Sequence, residues 1–353
     1  MVEIEVRARF HYEEEKSMRN RFFRMLLSLL CMNLLLHIYD PSAWGQTQLE
    51  KIRVAYTVIS PTQLNVWTPR ETGFYRKNGL DVELVLLVGA PLAVAALVAG
   101  ETPIIQTGAS AVITSNLSGS GAVLIAGAVN RFPYVLFATD EIKRVEDLRG
   151  KKFGVSRIGG ADHASAATVL EKYGLNPDSD IAWVQIGSVP ARLAAMQVNS
   201  IQATLLQVPE TLKAKEAGLK SLLDFTKLDI EWQQNGVAAT RDFIRRRPDT
   251  VRRFMKAYVE GIHYNLTNPK GTQKILQKYL VVKDEKIIEE SYNEVVLKLT
   301  RRVPYPTEKG IQTFLDQLKA KNPKAAQAKP TDFIDNSFLK ELEESGYIDR
   351  LYR

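Results

Sequence analysis

The sequence predicts an α/β protein of two lobes, each a mixed, mostly parallel sheet with helices on both faces, and a cleft between the lobes. Three observations predict it. The 353 residues exceed the usual span of one domain. From Lys51 onward, short apolar runs alternate with helix-length stretches, which is the pattern of βαβ units. The order of those runs, with their Gly and Pro breakers, recurs about a hundred residues later, as expected of an internal repeat.

The first 45 residues stand apart. Arg19, Arg21 and Arg24 run into an apolar stretch, Met25 to Ile38, and Ala43-Trp44-Gly45 offers small residues where a signal peptidase reads. A leader over 1–45, cleaved near Gly45/Gln46, is expected, with translation starting at Met18. The apolar run falls short of the ~20 residues that span a bilayer. The single cysteine, Cys31, lies in this leader, so the mature chain has no disulfide and no thiol nucleophile. His163 and His263 alone survive cleavage, too few for an all-histidine zinc site, and no metal and no cofactor are expected.

After the leader the elements follow in order. Ile52–Thr57 is a β-rich run; Gln63–Asn78 reads as a helix closed by Gly79; Asp81–Val88 is a second strand. Pro91–Ala99 is a short helix stopped by Gly100, Ile104–Thr107 a third strand, Ser110–Leu117 a helix and Val123–Val129 a fourth strand. The second unit repeats this: Phe153–Ser156 as a strand, a helix ending at Tyr173 before Gly174-Leu175, Leu193-Ala194-Ala195-Met196 in the place of Ala95-Ala96-Leu97, and Leu205–Gln207 as a strand. Val88-Gly89-Ala90-Pro91 is echoed by Ile186-Gly187-Ser188-Val189-Pro190. Beyond Thr240 the chain turns helical. Val251, Phe254, Met255, Tyr258, Val259 and Ile262 share one face, and 284–300, 307–319 and 337–345 are further amphipathic segments. The expected division is therefore 46–135 plus 240–353 for the first lobe and 136–239 for the second.

In open parallel sheets ligands gather outside the carboxyl ends of strands, where loops meet helix N-termini with their partial positive charge. The turns in those places supply the candidate site: Ser60, Thr62 and Gln63; Thr107, Gly108 and Ser110; Arg157, Gly159, Gly160, Asp162 and His163; and Gln207 at the end of its strand. Gly159-Gly160 admits close approach of the main chain to a ligand. Arg157 offers a bidentate grip on a carboxylate, sulfonate or phosphate. Asn130, at the passage between lobes, is a candidate for the cleft floor. The net charge of +7 is mild, and the run Arg245-Arg246-Arg247 has no interleaved aromatics, so no nucleic-acid contact is expected. Neither a G-x-S-x-G elbow, a G-x-x-x-x-G-K loop nor an H-E-x-x-H helix occurs, and Asp162, His163 and Ser165 lie too close along one helix to form a triad.

Three segments carry a family resemblance: Glu71-Thr72-Gly73-Phe74-Tyr75-Arg76-Lys77-Asn78-Gly79-Leu80-Asp81-Val82-Glu83, Val145-Glu146-Asp147-Leu148-Arg149-Gly150-Lys151-Lys152-Phe153-Gly154-Val155, and Pro190-Ala191-Arg192-Leu193-Ala194-Ala195. Over roughly residues 50–270 the sequence resembles the nitrate/sulfonate/taurine and thiamine-precursor group of ABC-importer binding proteins, the NMT1/THI5-like group. That resemblance implies a type II periplasmic-binding-protein fold whose lobes close over a small anionic or polar-aromatic molecule. It also implies delivery to an inner-membrane ABC permease and its ATPase by a periplasmic monomer that catalyses nothing. In such proteins the pocket is built by the loops corresponding to Ser60–Gln63, Thr107–Ser110 and Arg157–His163. Two alternatives share the resemblance: a thiamine-pyrimidine-precursor synthase-like enzyme, and a ligand-binding partner of a membrane receptor.

Overall fold

The structure is a computed structural model and describes residue 12, residues 15–19, 21–26 and 48–353. The expected cleavage point and all of the leader's apolar run beyond Leu26 lie outside the described residues. Stretches 15–19 and 21–26 are helical and exposed. Residues Leu49–Arg353 form one compact unit, and among the described residues no helix is long and apolar enough to cross a membrane.

That unit holds two five-stranded sheets. The first is ordered β2-β1-β3-β10-β4, from Glu50–Tyr56 (β1), Leu80–Leu86 (β2), Ile104–Gly108 (β3), Ala122–Val129 (β4) and Asn235–Thr240 (β10). The second is ordered β7-β6-β8-β5-β9, from Val135–Ala138 (β5), Lys152–Val155 (β6), Ala182–Gln185 (β7), Ala203–Leu206 (β8) and Lys220–Asp224 (β9). In each, the first three strands pair in parallel, and the fourth is antiparallel to both neighbours. The antiparallel member is the strand entered directly after the chain crosses between sheets: β5 after Asn130–Tyr134, β10 after Trp232–Gln234. The repeat read from breaker residues is thus a repeat of topology.

Two segments differ from their sequence expectation. The single helix expected over Gln63–Asn78 is three pieces, a 3-10 turn at Pro61–Gln63 and helices Leu64–Glu71 and Phe74–Lys77, because Gly73 takes a left-handed φ of 77° that ends the first helix. The segment expected over 284–300 is helical over Glu285–Tyr292 and then widens into a π turn at Asn293–Leu297.

Packing follows the amphipathic stripes. The helix Pro248–Thr267 buries all six residues of its apolar face against the first sheet and the helix Leu64–Glu71. A second core runs without a break from Ala55 and Ile105 of the first sheet to Phe153, Val155 and Leu205 of the second, through Phe132, Tyr134 and Trp232 of the crossings. Phe132 stacks on Trp232 at 5.1 Å, and Trp232 meets Phe314 edge-on at 5.7 Å. Aromatic rings therefore fill the space where the chain passes between sheets.

Candidate functional site

A cavity of about 230 Å³ lies where the carboxyl ends of β1, β2 and β3 meet those of β6, β7 and β8. Parallel strands leave their loops and the following helix N-termini at that edge, so both sheets present main chain and small polar residues to the same space. From the first sheet come Thr57 to Ile59, Thr62, Gln63, Leu86, Val88 to Ala90 and Gly108. Ser156, Ala161, Asp162, Gly187 to Pro190, Arg192, Gln207, Pro209, Glu210 and Lys213 come from the second. The crossings add Pro133, Tyr134, Gln234 and Asn235, and the helix Pro269–Leu280 adds its last two residues and Val281.

Of the residues singled out in the sequence, Thr62, Gln63, Gly108, Asp162 and Gln207 line the cavity. Eight lie elsewhere. Ser60 caps the 3-10 turn, its Oγ accepting from the Thr62 amide at 3.3 Å. Thr107 and Ser110 flank Gly108 as buried hydroxyls without partners. Asn130 donates to the Tyr305 carbonyl at 3.0 Å and ties a crossing to the C-terminal region. Arg157 packs over Gly89, where an added Cβ would stand 3.0 Å from the arginine Cβ and Nε. His163 accepts from the Gly159 amide at 3.3 Å through Nδ1 and sets its ring edge-on to Trp183 at 4.5 Å; burial holds it below the usual imidazole range. Gly160 closes its own turn by donating to the Arg157 carbonyl at 2.9 Å, so its lack of a side chain serves the loop itself.

The electrostatics of the cavity join the candidate Asp162 to three residues outside the candidate set, Arg192, Glu210 and Lys213. Arg192 and Asp162 form an ion pair at 3.2 Å with side chains only 2% and 6% exposed. Such a pair survives dehydration only when its other polar atoms are satisfied. They are. Asp162 accepts from the Ser156 amide and hydroxyl, both at 2.6 Å, and Arg192 donates to the Thr204 hydroxyl at 3.1 Å, the Gly187 carbonyl at 2.7 Å and the Leu205 carbonyl at 3.2 Å. Glu210 faces the same space; burial pushes its carboxyl up, against the pull of Lys213 at 3.4 Å. Every cation lining the cavity thus has a carboxylate beside it.

The uncharged groups are less committed. Gln63 Oε1 and Asn235 Oδ1 are buried without partners, and Gln207 adds a third carboxamide. Tyr134 is kept protonated by burial and by the nearby Asp162 charge; its oxygen accepts from Gln234 Nε2 at 2.8 Å, leaving its own proton to donate. Around these stand Val58, Ile59, Leu86, Val88, Val189 and Pro190 as apolar walls. Arg192 lies in the Pro190–Ala195 segment quoted above, so its position was visible although its role was not. Glu210 and Lys213 carry no local sequence signal.

Two sheets of one strand order, joined by two crossings and enclosing a cavity at their strand ends, define the class: this is the periplasmic-binding-protein fold. Among solved structures the periplasmic nitrate-binding protein NrtA of Synechocystis PCC 6803 superposes with a TM-score of 0.69 at 15% identity, over 84% of this chain and 89% of that one. The alkanesulfonate-binding protein SsuA of Xanthomonas axonopodis pv. citri bound to MOPS gives 0.65 at 14% identity, over 82% and 99%. The riboflavin-binding protein RibY of Chloroflexus aurantiacus is 23% identical over 241 residues, 65% of this chain and 66% of that protein, so the chain spans about two thirds of that relative's length. The profile of the family described as NMT1/THI5 like matches residues 61–272, more than half of the chain, and the protein belongs to that family.

Proposed function

We propose that the protein is the exported solute-binding component of an ABC importer, acting as a monomer in the periplasm and handing its solute to a membrane permease and its ATPase. One observation carries the reading. The strand ends of two like-ordered sheets converge on a single cavity where Gln63 Oε1 and Asn235 Oδ1 are buried without partners and the charges are already paired. A site that holds groups in place without an activated nucleophile or an unpaired acid and base binds rather than transforms.

The same lining narrows the solute. A naked oxyanion needs a cation or a converging set of amides that is not already in use, whereas Arg192 and Lys213 each sit beside a carboxylate. Carboxamides recognise the alternating donors and acceptors along the edge of a nitrogen heterocycle, as Asn and Gln do with a base. With apolar walls on both sides, an uncharged, ring-bearing solute fits this cavity better than nitrate or a small sulfonate. Thermal shift on residues 46–353 with riboflavin, adenine, cytosine, nitrate, MOPS and simple carboxylates tests it, because a solute bound only by the folded state raises the melting temperature. A heterocycle is expected to bind at micromolar Kd or tighter, about −8 kcal/mol. Stabilisation by nitrate or MOPS alone counts against the uncharged-ring reading; no response to any of them counts against solute binding itself.

A further inference from the structure

The helix Pro269–Leu280 ends at the mouth of the cavity, and Tyr279, Leu280 and Val281, all beyond residue 272 where the family match stops, line it. Tyr279 is fixed there, its ring stacked on Trp67 at 4.5 Å and 9° and its hydroxyl donating to Glu71 Oε1 at 2.9 Å. Val281 follows with φ 54° and ψ 41°. A helix C-terminus normally gives this left-handed position to Gly or Asn, and a β-branched residue is the least suited to it, because its Cβ substituents crowd the main chain. Val281 is also 85% exposed, more than any other large hydrophobic side chain among the described residues. Strain and exposed apolar surface both weigh against the folded chain, and the two coincide at one residue on the rim of the cavity.

We propose that Val281 is a specificity-determining residue, an apolar rim contact that the left-handed turn aims at the non-polar part of the bound solute. Ile59, 42% exposed, lines the same cavity from the first sheet and is a second apolar side chain that is both exposed and part of the lining. Backbone strain persists at ligand clamps when something other than folding stability selects the residue. The inference rests on the solute-binding reading and deepens it. Selectivity for the solute's apolar portion is placed on a helix end outside the family-matched region.

Val281→Asn and Val281→Gly keep the turn and remove the apolar side chain. Both variants are expected to melt about 1–4 °C higher than the unsubstituted protein, since the left-handed strain is relieved. Titration with riboflavin and adenine is expected to show binding of the better probe weakened about tenfold, the loss of one apolar contact of this size. Val198→Asn, at an exposed valine away from the cavity, is expected to leave that affinity unchanged. A gain in melting temperature with a loss of affinity has no explanation in general destabilisation. Unchanged affinity in the Val281 variants, or a lowered melting temperature, overturns the proposal and leaves solute binding standing. If the unsubstituted protein binds neither probe, the ring-binding reading falls and this inference with it.

Discussion

Glu210 shows how the charges of the cavity are kept in balance. Its carboxyl is pushed above the ordinary value of 4.5 by burial, which Lys213 at 3.4 Å offsets only in part. The sign follows from linkage. A group whose folded pKa is raised favours the folded state below its unfolded value, and that contribution is lost as pH rises through the folded value. Glu210→Gln is therefore expected to be more stable than the unsubstituted protein at pH 7, the difference closing as pH falls toward 4, measured as urea midpoints at the two pH values. A difference that stays constant with pH contradicts the buried, costly carboxylate. The Arg192–Asp162 pair is the contrasting case, with its carboxylate held by two donors as well as the guanidinium. At this scale the sequence was least legible. Arg157 lies just past β6 and Arg192 in the first turns of the helix Val189–Gln197, and nothing in their residue type distinguishes the one packed over Gly89 from the one that anchors the site. Five of the thirteen candidates line the cavity because strand-end turns are written in the sequence; partners across the cleft are set by the fold.

Elements were more legible than residues, since they depend on periodicity and breakers. The helix Pro248–Thr267 is read from its stripe with Pro248 at one end and Asn268-Pro269 at the other, and its observed bounds coincide with those signals. The segment Gln63–Asn78 has helical composition throughout, and its break comes from Gly73, which occupies a left-handed helix end. Gly261 is the informative glycine within a helix. A Cβ there would stand 2.7 Å from Cγ and 2.8 Å from Cδ of Pro69, a rigid ring on the neighbouring helix. Gly261→Ala gains about 1 kcal/mol in helix propensity, but overpacking two helices costs typically 1–3 kcal/mol. Because neither the proline ring nor the helix backbones can step aside, the overpacking prevails. A net loss of up to about 2 kcal/mol in denaturant unfolding is expected; a variant more stable than the parent shows that the helices separate freely.

At the scale of the molecule, what matters is how closely the two sheets approach across the cavity. They are joined by more than the crossings: the aromatic core is continuous between them, Ser165 donates to Gln234 Oε1 at 3.0 Å, and Thr168 on the second sheet's helix donates to Gln317 near the C-terminus at 2.6 Å. At the cavity itself the two sheets also approach closely at Gly108, at the end of β3, against Ala161 at the start of the helix Ala161–Lys172, where an added Cβ would come 2.6 Å from the alanine Cβ. Neither atom belongs to a flexible side chain, so a methyl group at 108 must push the two walls apart. If the solute is held by both walls at once, that separation weakens every contact made from the far side, including those of Asp162 and Ser156. Gly108→Ala is expected to bind the heterocyclic probe at least about tenfold more weakly, a loss of about 1.4 kcal/mol, and to melt at a lower temperature because of the overpacking. The pairing supplies its own control. Ala161→Gly removes the facing methyl, and the double variant Gly108→Ala/Ala161→Gly is expected to regain most of the lost affinity. Coupling of that kind arises between groups in contact or sharing a cavity or network, not between distant, independent sites. Additive losses in the double variant exclude the gap between residues 108 and 161 as the distance that sets solute binding.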